Sequence, residues 1–66
     1  MEIVEKIAKN INKYRKDMSV DKLGKIADIP SSTIWNILSH QVNNVKITTL
    51  IAIAKALNCT VDDLIK

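Results

Sequence analysis

Four side chains near the middle of the chain carry the chemical groups of a recognition surface. They are Ser31, Ser32, Trp35 and Asn36. Their hydroxyl and amide groups donate and accept hydrogen bonds, and the indole ring offers a large apolar face with one donor. At these spacings the four side chains lie on the outward half of one helix. This chemistry favours binding over catalysis.

The residue types that most often perform catalysis or hold metals are scarce. His40 is the only histidine and Cys59 the only cysteine, and no carboxylate or thiol accompanies His40 in a catalytic arrangement. A single cysteine excludes an internal disulfide, and the spacing of Cys and His fits no zinc site. We expect no enzyme activity, no metal and no cofactor, with His40 in a loop and Cys59 as a small apolar residue.

Positive charge is concentrated in one part of the chain. Residues 6–25 hold seven lysines and arginines against two aspartates, a charge of +5, whereas residues 26–66 are neutral and the whole chain carries +3. This asymmetry indicates an anionic partner on one side, although solvated lysines on a small helical protein give the same pattern.

Length and hydropathy bound the class of protein. A chain of 66 residues forms at most one domain with a small core, so a single domain is expected over residues 1–66. It has no apolar run near the roughly 20 residues of a membrane span and no signal-peptide pattern. We expect a cytoplasmic protein without membrane contact.

Apolar residues recur with helical spacing, and no stretch alternates as a strand does. The first stripe consists of Val4, Ile7, Ile11 and Tyr14. It predicts a helix over about residues 2–16. Asp17 suits a left-handed turn and Ser19 has the side chain of a helix cap. A second helix is therefore predicted over about residues 20–27.

Two more helices follow a break at residues 28–30, where aspartate favours a turn and the residue before a proline leaves the helical region. The third helix, capped by Ser31 or the residue before it, ends near Ser39, and a polar loop covers residues 40–45. Thr48 is expected to cap the fourth helix. The apolar residues that these helices turn inward are Ile34, Ile37, Leu38, Leu50, Ile53, Ala54 and Leu57.

The last segment of the chain has the signals of a helix end and a helix start. Asn58 suits the left-handed position that ends a helix. Thr60 and Asp63 form a capping pattern ahead of Leu64 and Ile65. These signals predict a short fifth helix that closes the domain.

The only glycine, Gly24, lies inside a helical pattern, in the stretch VDKLGKIADIPSSTIWNIL over residues 20–38. It costs about 1 kcal/mol of helix propensity relative to alanine, so a packing reason is expected. Two short helices joined by a tight turn approach closely where the contact residue is small. The apolar interior of the pair would consist of Leu23, Ala27, Ile29, Ile34 and Ile37.

This stretch resembles the helix-turn-helix motif of the phage Cro and repressor family. Counted from Val20, the small, turn and buried branched positions of that motif fall on Gly24, Asp28, Ile29, Ile34 and Ile37. The resemblance continues through TLIAIAKALNCTVDDLI, with Asn58 where glycine is usual, and covers about residues 4–66. It implies an all-α fold, a compact five-helix lambda-repressor-like DNA-binding domain, with the motif at about residues 20–39.

The departures from the family pattern bear on function. Glutamine is usual where Val20 stands, and its amide contacts a phosphate, which valine cannot do. The arginine that ends the first helix of the family aligns with Arg15 by its apolar spacing. Leu38 replaces its usual acidic partner, so Arg15 is predicted to be free for solvent or a phosphate.

The resemblance implies a double-stranded DNA partner, with the second motif helix in the major groove. The implied base contacts are Ser31, Ser32, Trp35 and Asn36. The implied phosphate contacts are Arg15, Lys22, Lys25, Thr33, Asn43, Asn44 and Lys46. Asparagine grips adenine through two hydrogen bonds worth about 1–3 kcal/mol, so Asn36 is the main specificity candidate. The implied function is a sequence-specific transcriptional regulator of the repressor type.

The same residues have structural alternatives. Ser31 and Ser32 would serve only as helix caps, and Asn36 would be a solvated surface residue. The indole of Trp35 would pack over the turn, lie against thymine methyl groups or sugars, or meet a protein partner. The rival function is a protein-interaction module that kept the fold and lost DNA binding.

Affinity considerations predict a homodimer. The segment from Ser31 to Val45 contains no lysine or arginine, which predicts modest affinity of one copy for DNA. Two copies would place their recognition helices in successive major grooves, about 34 Å apart. The expected contact, on the C-terminal helix, is Val61, Leu64 and Ile65, unless these residues close the core instead.

Overall fold

A computed structural model describes residues 2–66, and it is built entirely from helices and their connections. In chain order the helices are α1 (Glu2–Arg15), α2 (Val20–Ala27), α3 (Ser31–Leu38), α4 (Ile47–Ala56) and α5 (Val61–Ile65). The predicted all-α, five-helix fold is confirmed. Of the predicted domain over residues 1–66, Met1 lies outside the described residues.

The helices enclose one aliphatic core. The most deeply buried side chains are Val4, Ile11, Leu23, Ile34, Ile37, Ile53 and Leu64. Helix α1 packs against α3 and α5, α2 packs against α3 and α4, and α4 packs against α5. Each such side chain contributes about 1.5–3 kcal/mol when it is fully buried. The amide of Asn10 adds a hydrogen bond of 2.8 Å to the carbonyl of Leu64, which ties α1 to the end of the chain.

Side-chain caps begin two of the helices, as predicted. The hydroxyl of Ser19 accepts a hydrogen bond of 3.0 Å from the backbone N–H of Lys22. At α5, the hydroxyl of Thr60 accepts from the N–H of Asp63, and the carboxylate of Asp63 accepts from the N–H of Thr60. These bonds satisfy N–H groups that have no partner within the helix.

The predicted left-handed residue after α1 and the predicted cap of α4 are wrong. Helix α1 ends at Arg15, and Lys16 rather than Asp17 takes the left-handed conformation, at φ 53°. The turn closes one residue early because the N–H of Met18 bonds the carbonyl of Arg15 at 2.8 Å. Helix α4 starts at Ile47, with Lys46 in extended conformation at the cap position and without a side-chain cap, so Thr48 lies in the first turn.

The turn between α2 and α3 explains the glycine. A Cβ at Gly24 would lie 2.7 Å from the carbonyl oxygen of Ile29, which is closer than Cβ atoms come to other heavy atoms in proteins. The N–H of Ile29 bonds the carbonyl of Gly24 at 2.9 Å, and Asp28 adopts the left-handed conformation at φ 58°. Gly24 is therefore the close-contact residue, and its contact is the backbone of the turn.

Candidate nucleic-acid interface

Helix α3 has one buried and one exposed side. Ile34 and Ile37 point into the core at 0% and 2% exposure. The side chains of Ser32, Trp35 and Asn36 are exposed, and those of Ser31 and Thr33 are half-buried. Trp35 is 54% exposed, so the alternative in which its indole packs over the turn as part of the core is wrong. The outward half of α3 thus holds hydroxyls, an amide and an aromatic ring.

The start of α3 excludes the capping alternative for its serines. Pro30 occupies the cap position, no side chain caps this helix, and Ser31 and Ser32 are its first two residues. The first turn of α3 contains no acidic residue. The positive end of the helix dipole is therefore left without a carboxylate of α3, a condition that favours an approaching anion.

A groove beside α3 gathers four of the predicted contact residues. This turn groove, of about 400 Å³, lies between the α2–α3 turn, α3 and the loop before α4. Thr33 and Asn36 line it from α3, and Asn44 and Lys46 line it from the loop. The helix therefore provides a hydroxyl and an amide, whereas the loop provides a second amide and a cation opposite them.

A smaller groove joins α2 to the start of α3. Lys25 and Ser31 both line it, together with Asp21, and its volume is about 340 Å³. Lys22 and Asn43 are exposed but line neither groove. With Arg15, which also lines neither, three of the predicted phosphate contacts stand apart from the grooves that flank α3.

Arg15 is not free, which corrects the prediction drawn from the loss of its acidic partner. Its Nε donates a hydrogen bond of 2.9 Å to the side-chain oxygen of Asn12, and a terminal nitrogen donates one of 2.7 Å to the carbonyl of Met18. The guanidinium therefore bridges the last turn of α1 and the α1–α2 turn. Since a guanidinium carries five N–H donors, a phosphate contact by Arg15 stays a prediction.

Two carboxylates beside the recognition surface were not anticipated. Asp28 lines the turn groove with Asn36, and Asp21 lines the smaller groove with Lys25. Residues 29–61 contain no aspartate or glutamate that would repel an anion. Asp28 is therefore the last carboxylate before this stretch. The position of Asp28 in the turn immediately before α3 is the sequence signal that could have predicted a carboxylate beside this helix.

His40 and Cys59 line neither of the grooves that flank α3. His40 is exposed in the loop after α3, in the left-handed conformation at φ 60°. Cys59 is half-buried against the core. Burial raises the pKa of its thiol, and the carboxylate of Asp63 adds to the rise. Among the side chains of residues 3–66, no three of His, Cys, Asp or Glu cluster as metal ligands would.

Helix α5 contributes mainly to the core. Leu64 is fully buried and Val61 packs against the core, whereas Ile65 is 37% exposed. Leu64 therefore takes the alternative role of closing the core and is not a surface contact, whereas a dimer contact by Val61 and Ile65 stays a prediction. Ile65 is the apolar residue of α5 that remains at the surface.

A second surface, the α2–α4 groove, is of a different kind. It has a volume of about 350 Å³ and is lined by Ile26, Ala27, Thr48, Ile51, Ala52, Lys55 and Ala56. Ile26 and Ile51 are 52% and 41% exposed. It shares no lining residue with the turn groove.

No helix in residues 2–66 combines the length and apolarity of a membrane span.

Comparison with known proteins agrees with this architecture. Residues 10–66 match the Cro/C1-type HTH DNA-binding domain. The chain is 31% identical over its whole length to uncharacterized HTH-type transcriptional regulators of Rickettsia prowazekii and Rickettsia conorii, and it spans 77% and 65% of their respective lengths. No solved structure matches the chain significantly. The match over α2 and α3, the exposed polar side of α3 and the matching relatives lead to one conclusion: the chain belongs to the Cro/C1-type helix-turn-helix DNA-binding family of transcriptional regulators.

Proposed function

We propose that the protein is a sequence-specific, repressor-like regulator that inserts α3 into the major groove of its operator. The observation that carries the proposal is the outward half of α3, where Ser32, Trp35 and Asn36 are exposed beside a groove that also holds Lys46. Base edges are read by such side chains, whereas cations at the margin bind phosphates. A protein that occupies its site in this way excludes other proteins from the same DNA.

The proposed contacts divide into two classes. Ser31, Ser32, Trp35 and Asn36 read bases. Lys22, Lys25, Thr33, Asn43, Asn44, Lys46 and Arg15 bind phosphates. Phosphate contacts set the register of the protein on the duplex and produce the salt dependence, but they do not select a sequence. The protein would act where bacterial DNA is found, in the cytoplasm.

A homodimer would supply the affinity that one copy lacks. Helix α3 has no cation, and only four of the seven proposed phosphate contacts are cationic, so one copy is expected to bind weakly at physiological salt. Two copies related by a two-fold axis would read a palindrome with half-sites about 34 Å apart. Ile65, exposed at the end of α5, is the proposed dimer contact, and Ile65→Lys is expected to convert the dimer into a monomer in sedimentation experiments.

The function is tested by the anisotropy of a labelled duplex at rising salt. Duplexes selected from a random pool should bind with a steep salt dependence, and a palindrome among them would reveal two-fold symmetry. Asn36→Ala should lose roughly 1–3 kcal/mol at the selected sequence and little on random DNA. The matched control, Asn43→Ala, removes a phosphate contact and should weaken both complexes alike.

A second candidate function is supported by the α2–α4 groove. Exposed aliphatic side chains that line a groove mark protein-contact sites in other proteins, and Trp35 is also exposed. The chain would then be a protein-interaction module with a helix-turn-helix fold. Absence of binding to any duplex at low salt, together with protection of Trp35 by another protein, would support this function and reject the regulator.

A further inference from the structure

We propose that α3 selects A·T base pairs, with Asn36 on adenine and the indole of Trp35 on the methyl group of the adjacent thymine. This inference rests on the proposed function, since it requires α3 in the major groove. It adds the class of base pair that the operator must present at the positions facing α3.

The first argument is the set of side chains that α3 exposes. Its exposed residues are Ser32, Trp35 and Asn36. Guanine is read most often by arginine or lysine, which donate to O6 and N7, whereas asparagine pairs with N6 and N7 of adenine. Serine is compatible with several bases. Helix α3 therefore offers a reader of adenine and none of the cationic readers of guanine.

The second argument is the exposed ring. In the major groove the 5-methyl group of thymine is the apolar feature of the base edges, and apolar side chains contact it. Trp35 and Asn36 are neighbours in sequence, and both lie on the exposed side of α3. Consecutive helix residues point in different directions, so the ring and the amide can reach neighbouring base edges, and successive A·T pairs offer a methyl group to one and adenine N7 to the other.

The residues that could read a G·C pair stand outside α3. Lys25 lies on α2 and lines the smaller groove, whereas Asp28 and Lys46 line the turn groove. Asp28 could accept from cytosine N4. Ser39 does not add a reader at the other end, because its hydroxyl donates a hydrogen bond of 2.7 Å to the backbone carbonyl of Trp35. The base pairs opposite the middle of α3 thus face uncharged groups.

The test uses the full chain and base analogues. Duplexes are selected from a random pool, and the best site is remade with deoxyuridine for single thymidines, which removes the methyl group, or with 7-deazaadenine, which removes N7. We expect consecutive A·T pairs in the selected site. One deoxyuridine should weaken binding about fourfold, as expected for one buried methyl group. One 7-deazaadenine should weaken it about tenfold.

The variants assign each effect to a residue. Trp35→Ala should bind the thymidine and deoxyuridine duplexes equally, and Asn36→Ala should bind the adenine and 7-deazaadenine duplexes equally. Lys55→Ala, in the α2–α4 groove, is the matched control and should retain both differences. Circular dichroism establishes whether each variant is folded. If Trp35→Ala unfolds, Trp35→Phe replaces it, and this variant should retain part of the deoxyuridine effect because it keeps an aromatic ring.

The outcomes separate this inference from the function on which it rests. Selected sites whose central pairs are G·C and whose recognition depends on Lys25, Asp28 or Lys46 would overturn the inference and leave the regulator standing. Analogue effects that are the same in the original chain and in the Trp35 and Asn36 variants would do so too. Failure to bind any duplex at low salt would reject the regulator and, with it, the reading of A·T pairs.

Discussion

The turn groove and the α2–α4 groove are similar in size and differ in the polar groups that line them. The first, about 400 Å³, joins amides, a hydroxyl and Lys46 to the exposed side of α3. The second, about 350 Å³, is lined by Ile26, Ile51 and small residues, with Lys55 at its edge. The α2–α4 groove takes residues from the end of α2, whereas the turn groove takes those of the turn that follows. The turn groove therefore adds amides and both signs of charge to the side of α3, whereas the α2–α4 groove is marked by two exposed isoleucines.

The comparison shows how the small core restricts the surface. In a domain of 66 residues, the inward side chains of α3 and α4 are already committed to the core. The two grooves then differ in the side chains that these helices turn toward solvent. From α3 the turn groove receives Asn36, whereas from α4 the α2–α4 groove receives Ile51, which is 41% exposed.

The largest expected effect is that of Gly24→Ala, which disturbs the turn between the grooves. The new Cβ would lie 2.7 Å from the carbonyl oxygen of Ile29, and a backbone atom cannot move aside as a flexible side chain does. We expect a loss of about 2–3 kcal/mol in the free energy of unfolding, measured in urea. Lys25→Ala, on the same helix, should change it by less than about 0.5 kcal/mol. A gain of stability from the better helix propensity of alanine would show that the turn tolerates the methyl group.

A smaller effect, a gain in duplex affinity, is expected from a substitution of Asp28, in the turn groove. Asparagine also adopts the left-handed conformation, so Asp28→Asn removes a charge without straining the turn. Loss of repulsion from DNA phosphates should tighten duplex binding about two- to fivefold, more at low salt than at high salt. Asp62→Asn, the same charge change on α5, is the control. Equal gains in both variants would mean that net charge, and not the turn groove, governs the affinity.

The pH dependence of stability should show a modest contribution from Asp63, which belongs to neither groove. Hydrogen bonds from Thr60 lower its pKa below the usual value of about 3.8. Because the pKa is depressed in the folded state, the stabilisation is complete above pH 3.8 and is lost as the pH falls through the folded pKa. Thermal unfolding from neutral pH downward should show Asp63→Asn less stable than the original chain near pH 7. The two should converge in strong acid, and a constant difference at all pH values would contradict this assignment.

The smallest effect, on DNA affinity, is expected in the α2–α4 groove. The double variant Ile26→Gln and Ile51→Gln makes this groove polar at two exposed positions. If the two grooves act independently, duplex affinity should stay within about twofold in anisotropy measurements, since neither residue lines the grooves flanking α3. A large loss of DNA binding would show that the α2–α4 groove supports the recognition surface. The two grooves would then not act independently.

Local signals in the sequence predicted the helices well. The start of α2 follows from Ser19, the start of α5 from the pairing of Thr60 with Asp63, and the left-handed ends from Asp28 and Asn58. Each depends on a few neighbouring residues, so the pattern in the chain is sufficient. The start of α4 was mispredicted because Lys46 takes the cap position without a side-chain cap, and no residue type marks that arrangement.

The candidate site was predicted in part. The resemblance to the Cro and repressor family placed Ser32, Trp35 and Asn36 on the outward half of α3, and their exposure agrees. It could not show that Arg15 would donate to Asn12 and to the carbonyl of Met18. That outcome depends on the α1–α2 turn, which brings the carbonyl of Met18 within reach of the guanidinium.

The sequence by itself determined the five helices, the reason for a glycine at position 24 and the uncharged character of α3, because periodicity, capping and composition are local properties. Only the tertiary structure decided which polar groups share a groove. It placed Asp28, Asn36, Asn44 and Lys46 on one groove and enclosed Leu64 in the core. These neighbours are distant in sequence, and the packing of helices around one small core is what brings them together.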